Sequence, residues 1–321
     1  LLTRSDCLWV YTAVTLAYYS SRILGFLLYI GLLYMPNTVI AERYQITDTF
    51  GKHQFDHPPQ NIVVTDWTVL ENLLELGIVP LGAPELDRYR HYVVQPKLPT
   101  MITDIGKRMT PNLATVKSLN PDVVILGTKQ RELARAFSLF ARVNYYNSFS
   151  PRYRTNGTKS RKRFLQIAQL VQKVPLAEKK LAFLDTRIAE LKKQLSDHFG
   201  QQLPFVTTCR FSAKQKLLLY GRNSMPDYAL GLLGIEDEYQ TEVSTWGETE
   251  VSISALKEIK TGYLICFKPH DDASIFNQNN WRKLSLVQQD RFHYADPVWS
   301  YGGAMSVLYI AEAVTKTLLN L

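Results

Sequence analysis

The side chains with chemical potential in this 321-residue sequence are few and scattered. His270-Asp271-Asp272 sets an imidazole beside two carboxylates, a combination that can hold a metal ion or exchange protons. It follows a β-rich run and a proline, where a polar loop is the plainer reading. His53 and His57 are close in sequence, but a zinc site wants several converging ligands. They also precede the first strand, in a stretch that reads as mobile. No Walker A loop, no Gly-x-Gly-x-x-Gly after a strand, no Gly-x-Ser-x-Gly and no His-Glu-x-x-His occurs. The chain is therefore expected not to be an enzyme. Arg108, taken alone, reads as a surface ion pair; Trp246 and Trp299 read either as packing or as flat ligand walls. Cys209 and Cys266 either pair or remain buried thiols on two strands.

These groups must be positioned by alternating strands and helices, the pattern of an α/β fold with a parallel sheet. Residues 61–65 (NIVVT) read as a strand, 67–76 as a helix stopped by Gly77, and 78–82 as a strand. Residues 112–119 form a short helix leading into the buried strand 122–126 (DVVIL). The same grammar returns later: strand 216–220, helix 226–233 ended by Gly234, helix 252–259, strand 263–267. The expectation is two similar lobes with mainly parallel sheets and a ligand cleft between them. Between the lobes, residues 160–199 contain almost no breaker except Pro175, and their apolar residues recur with helical period. A long helix there is a stiff connector, so the cleft should be largely pre-formed.

The composition is ordinary, 46% hydrophobic and 21% charged, with a net charge of +8. The basic residues are spread out, and the densest run, 159–163 (KSRKR), reads as a solvated helix face, so no nucleic-acid partner is expected. Residues 23–35 are strongly apolar and are followed by Val39 and Ala41 at the spacing of a signal-peptide cleavage site. An uncleaved anchor is the rival reading, because 8–34 is long enough to span a bilayer. Cys7 lies in the segment expected to be lost and lacks a lipobox. The expected organisation is a signal peptide (1–41), an N-terminal extension (42–58), an N-terminal α/β lobe (59–155), connecting helices (156–200) and a C-terminal α/β lobe (201–321).

Five segments carry a resemblance: 61–80 (NIVVTDWTVLENLLELGIVP), 104–113 (DIGKRMTPNL), 220–224 (YGRNS), 244–253 (STWGETEVSI) and 297–306 (PVWSYGGAMS). From about Pro59 to its end, the chain resembles the periplasmic ferric-hydroxamate (ferrichrome-type) binding proteins, of the helical-backbone class that serves ABC importers. The resemblance implies a monomeric periplasmic protein, exported through its signal peptide, that binds a ferric siderophore and delivers it to an inner-membrane permease. Position by position, it makes Arg108 the hydrogen-bond donor to the iron-chelating oxygens. Trp246, Trp299 and Tyr301 become second-lobe walls, and Trp67 and Tyr92 first-lobe aromatics. Glu132 and Asp227 become the acidic permease-docking residues at the two lobe tips. The family's cleft tyrosine after strand 122–126 is replaced here by Gly127-Thr128-Lys129-Gln130, and Lys129 is placed to fill part of that space. The siderophore already chelates its iron, so no cofactor and no protein metal ligand is implied. A trihydroxamate is nearly neutral and partly apolar, which suits aromatic walls and one guanidinium. A catecholate carries about three negative charges and would want a cluster of cations. Haem would want an axial Tyr or His, and a catecholate siderophore, haem and cobalamin stay as alternatives with the same transport role.

Overall fold

The computed structural model describes residues 43–212, 216–239, 241–269 and 274–321. The apolar segment 1–41 with Cys7, and the His270-Asp271-Asp272 triplet, lie outside the described residues. Residues Arg43–Leu321 make one compact unit. Among the described residues no helix is long and apolar enough to cross a membrane, and no group of three or more metal-ligating side chains converges.

The chain enters through an antiparallel hairpin, β1 (Tyr44–Thr47) and β2 (Lys52–Phe55). This corrects the reading of the segment as mobile. Asp48 in the turn is buried, and its carboxylate accepts from the backbone N–H of Phe50, Gly51 and Tyr145 and from the Asn144 amide. His53 lies 2.9 Å from the same carboxylate and so serves the turn. Tyr44 donates to the Leu170 carbonyl at 2.8 Å, tying the hairpin to the end of the helix Asn156–Leu170.

That lobe runs β3 (Ile62–Val64), α1 (Trp67–Glu75), β4 (Gly82–Ala83), α2 (Leu86–Tyr92), β5 (Thr103–Asp104), α3 (Leu113–Ser118), β6 (Val123–Leu126), α4 (Ala134–Phe137) and β7 (Arg142–Tyr145). Its sheet has the order β5-β4-β3-β6-β7, and every pair is parallel. The unbroken apolar runs of β3 and β6 are buried throughout, as a sheet covered on both faces requires.

The connector is two helices, α5 (Asn156–Leu170) and α6 (Val174–Phe199), where the sequence suggested a single long stretch. The break falls at Gln172, which adopts φ 54°. Pro175 then occupies the first turn of α6, the place in a helix where a missing N–H costs nothing. Helix α6 serves two cores. Ala177 and Leu181 pack in the first-lobe cluster with Phe164 and Ile167, while Leu184, Ile188, Leu191 and Leu195 pack in the second.

The second lobe contains β8 (Val206–Phe211), β9 (Leu217–Tyr220), α7 (Met225–Leu233), β10 (Glu248–Val251), β11 (Tyr263–Phe267), α8 (Asn279–Arg282), α9 (Ser285–Gln288), β12 (Phe292–Ala295) and α10 (Ser306–Leu318). Its order is β10-β9-β8-β11-β12. The β8-β11-β12 half is parallel, while β9 and β10 add antiparallel, because β8 returns to β9 without a crossover helix. Residues Ile253–Glu258 are a 3₁₀ helix where an α-helix was expected. The buried positions Ile253, Leu256 and Ile259 recur every third residue, which is the 3₁₀ period. Cys209 and Cys266 stand opposite each other in the β8–β11 register and are joined in a disulfide. Trp281 is buried among Phe211, Phe276 and Phe292, as packing.

Candidate ligand cleft

Both sheets direct their strand ends toward the groove between the lobes. In the first lobe Asp66 follows β3 by two residues, and its side chain caps α1 by accepting from the N–H groups of Thr68 and Val69. This cap fixes Trp67 at the first helical position. Trp67 is buried, donates its indole N–H to the Pro84 carbonyl at 2.8 Å and presents its face upward. The Arg108 guanidinium lies over that face, its Cζ 3.9 Å from the ring centroid. Its Nε donates to Glu85, so the charge is held between a π-face and a carboxylate.

The second lobe supplies the facing wall. The loop before β10 carries Trp246, and the loop between β12 and α10 carries Trp299 and Tyr301. Trp299 meets Trp67 across the groove with ring centroids 5.0 Å apart, edge to face. Trp299 to Tyr301 is again 5.0 Å, Tyr301 to Trp246 is 5.6 Å, and Trp246 to Phe149 is 5.0 Å. A continuous aromatic chain thus crosses from one lobe to the other. A depression of about 210 Å³ is lined by Asp66, Trp67, Thr68, Arg108, Trp246, Glu248, Trp299 and Tyr301. A second, of about 390 Å³, shares Asp66, Arg108 and Trp246 with it and adds Glu85 and Lys129. Together they fall within the roughly 300–1,000 Å³ usual for small-molecule sites.

Five of the six residues expected in the cleft, Arg108, Trp67, Trp246, Trp299 and Tyr301, line this groove. Tyr92 stands one ring further out, 6.4 Å from Trp299, and is not part of the lining. Lys129, at φ 63°, reaches into the groove with Nζ 5.9 Å from the Trp246 centroid. Arg210 is buried behind the wall, donating to the Lys268 and Val298 carbonyls. Glu132 is exposed on a 3₁₀ turn of the first lobe. Asp227 is half-buried in the first turn of α7, and burial raises its carboxyl above the usual range.

Four polar groups went unanticipated. Burial holds Asp66 above the ordinary aspartate range, with Arg108 pulling it back. Glu85 pairs with Arg108. Glu248 accepts from the Tyr301 hydroxyl, and burial pushes it up to about 7 against the pull of Arg210 and Lys129. Gln130 is buried with its amide fully engaged. Its oxygen accepts from the Thr65 hydroxyl and the Gly127 N–H, and its NH₂ donates to the Thr65 and Arg108 carbonyls, each bond between 2.6 and 2.8 Å. Gln130 therefore anchors the Arg108 loop to the end of the sheet. Gly127 is required beside it, because a Cβ there would overlap Asp66.

A family model described as "Periplasmic binding protein" matches residues 62–298. The chain is 28% identical over 268 residues to an iron(3+)-hydroxamate-binding protein, FhuD, of Escherichia coli, covering 81% of this chain and 87% of that one. A crystal structure of the siderophore-binding protein FhuD from Vibrio cholerae with Fe3+–Desferal bound superposes with a TM-score of 0.78 at 38% identity, covering 81% of this chain and 98% of that one. A periplasmic catecholate-siderophore binding protein of the same species, VctP, shares the fold at a TM-score of 0.64 and 15% identity, covering 87% of this chain and 100% of that one.

Proposed function

This chain belongs to the periplasmic binding protein family, and from that premise we propose that it captures a ferric hydroxamate siderophore in the interlobe cleft and delivers it to an ABC-type importer of the inner membrane. The observation that carries the ligand class is the character of the groove. Its walls are aromatic, and its three cations, Lys107, Arg108 and Lys129, are matched by three carboxyl groups, Asp66, Glu85 and Glu248. Two of those carboxyls are raised toward the neutral form. Such a lining suits a bulky, nearly uncharged and partly apolar complex, and it opposes a catecholate of about three negative charges. No histidine is among the lining residues, and the lining tyrosine, Tyr301, has its hydroxyl engaged with Glu248, which weighs against haem. The relatives at 28% and 38% identity are described as binding an iron–hydroxamate and Fe3+–Desferal, which supports the same class here.

Iron arrives already chelated, so the protein needs no cofactor and performs no turnover. The route is export through the signal peptide to the periplasm, where the chain acts as a monomer. The buried Cys209–Cys266 disulfide is at home in that oxidising compartment. Quenching of intrinsic tryptophan fluorescence tests the ligand class, with ferrichrome, ferrioxamine, a ferric catecholate and haemin titrated in parallel. Saturable quenching by the hydroxamates, weakened about 10- to 100-fold by Arg108→Ala, is expected from the loss of a charged donor. A response to the catecholate or haemin alone refutes the ligand assignment. Glu132 and Asp227 are proposed as the permease contacts. Glu132→Lys with Asp227→Lys should lower siderophore uptake by cells while leaving affinity in solution unchanged; weakened binding would contradict the docking role.

A further inference from the structure

Residues 152–163 hold six cations: Arg152, Arg154, Lys159, Arg161, Lys162 and Arg163. The structure divides them. Arg161 makes two parallel bonds to Asp185, at 2.8 and 2.7 Å. Arg163 is buried and donates to the Asn147 carbonyl and to Gln166. Of the remaining four, Arg152, Arg154 and Lys162 are exposed and Lys159 is half-buried, yet they are gathered round one hollow. Arg152, Arg154, Lys159 and Lys162 line one concavity of about 570 Å³ with Tyr153, Thr155 and Thr158. Among the described residues none of the four meets a carboxylate within ion-pair distance. Lys159 is half-buried, with Nζ 4.6 Å from the Tyr153 ring centroid. Its burial, and then the like charges of Arg163 and Lys162, hold its ammonium below the ordinary lysine range. Tyr153 is itself fixed, donating its hydroxyl to the Asn147 carbonyl at 3.2 Å.

We propose that this concavity is a second binding site, separate from the cleft, for a ligand that carries phosphate groups. Like charges gathered round one hollow repel one another, and a multiply charged anion relieves that repulsion. Two guanidinium forks and two ammonium groups present many donors in several directions, which matches the oxygens of a phosphate better than a single planar carboxylate. The site shares no lining residue with the cleft, so it stands or falls independently of the siderophore reading. The same chemistry is offered by a soluble phosphate compound and by the headgroup of an anionic phospholipid.

The experiment uses inorganic pyrophosphate by calorimetry and, in parallel, co-sedimentation with phosphatidylglycerol vesicles against phosphatidylcholine vesicles. The proteins compared are the wild type, a triple variant Arg154→Gln/Lys159→Gln/Lys162→Gln, and the control Lys193→Gln on α6. Saturable binding of about one pyrophosphate, weakened at least tenfold in the triple variant and unchanged in the control, is expected for a soluble ligand. Sedimentation with phosphatidylglycerol alone, lost in the triple variant, supports the headgroup source. An unchanged urea-denaturation midpoint in the triple variant shows that the protein remains folded. Binding of neither probe, or binding that survives the triple substitution, overturns the site.

Discussion

Glu248 makes ligand affinity depend on pH in a direction the cleft predicts. Its carboxylate accepts from Tyr301, whose hydroxyl lies 3.3 Å from that of Tyr220, and burial already pushes the acid up to about 7 in the empty protein. At neutral pH the free cleft therefore holds Glu248 about half protonated. A nearly neutral trihydroxamate seated against Trp246 and Tyr301 removes more water and offers no cation in return. The bound state favours the protonated acid, and binding takes up a fraction of a proton. If enclosure raises the group by one further unit, affinity at pH 9 falls about tenfold relative to pH 6, since one unit is worth about 1.4 kcal/mol. The assay is ferrichrome quenching of tryptophan fluorescence at four pH values between 6 and 9, in wild type and in Glu248→Gln. The Gln variant keeps an acceptor for Tyr301 and should bind with a flat profile close to that of the wild type at low pH. Asp66 also lines the cleft with a raised carboxyl. A slope that persists in Glu248→Gln would thus move the effect to Asp66, and an affinity that rises with pH would refute the reasoning.

Two further predictions concern the seam between the lobes. Glu71 on α1 is buried, accepts from the Gly303 N–H and the Ser306 hydroxyl, and is pushed up to about 8, first by burial. A raised carboxyl stabilises the fold fully below its unfolded value near 4.5 and loses that contribution as pH climbs toward 8. Chemical denaturation should show stability falling by about 1.4 kcal/mol per pH unit in that window, and Glu71→Gln should remove this slope. Gly303 faces Asn72, and a Cβ there would collide with the Asn72 amide. Gly303→Ala should lower stability by about 1–3 kcal/mol in urea denaturation, and an unchanged midpoint would mean the seam yields easily.

The parts of this molecule legible in the sequence are those specified by neighbours along the chain. Strand β3, the Asp66 cap, helix α1 and its stop at Gly77 follow from a buried β-branched run, an N-cap residue and a glycine within seventeen residues. The break between α5 and α6 hides because Gln172 carries the left-handed turn without glycine; Pro175 was the available signal, read as an interruption when it marks a beginning. The hairpin at 44–55 hides because its order comes from Asn144 and Tyr145, about a hundred residues away, through the buried Asp48. The cleft divides the same way. Its aromatics and Arg108 sit in segments that carry a family resemblance. Glu85, Gln130 and Glu248 look like any surface polar residue until the fold folds them against Arg108 and Tyr301.

The seam also decides how the protein can work. Helix α6 puts Ala177 and Leu181 into one core and Leu184, Ile188, Leu191 and Leu195 into the other. Swinging the lobes apart would pull one set from its core, at about 1.5–3 kcal/mol for each large aliphatic side chain exposed. Polar bonds close the same seam: Thr68 donates to the Tyr301 carbonyl, Asn72 accepts from the Ala304 N–H, and Glu75 accepts from Tyr309 on α10. A hinge that opens widely would break all of these together. The cleft therefore exists before the ligand arrives, and recognition falls to the loops carrying Arg108, Trp246 and Trp299. The same stiffness means that thermal motion of the lobes is a poor route for release. Whatever empties the cleft must act on those loops or strain the seam from outside.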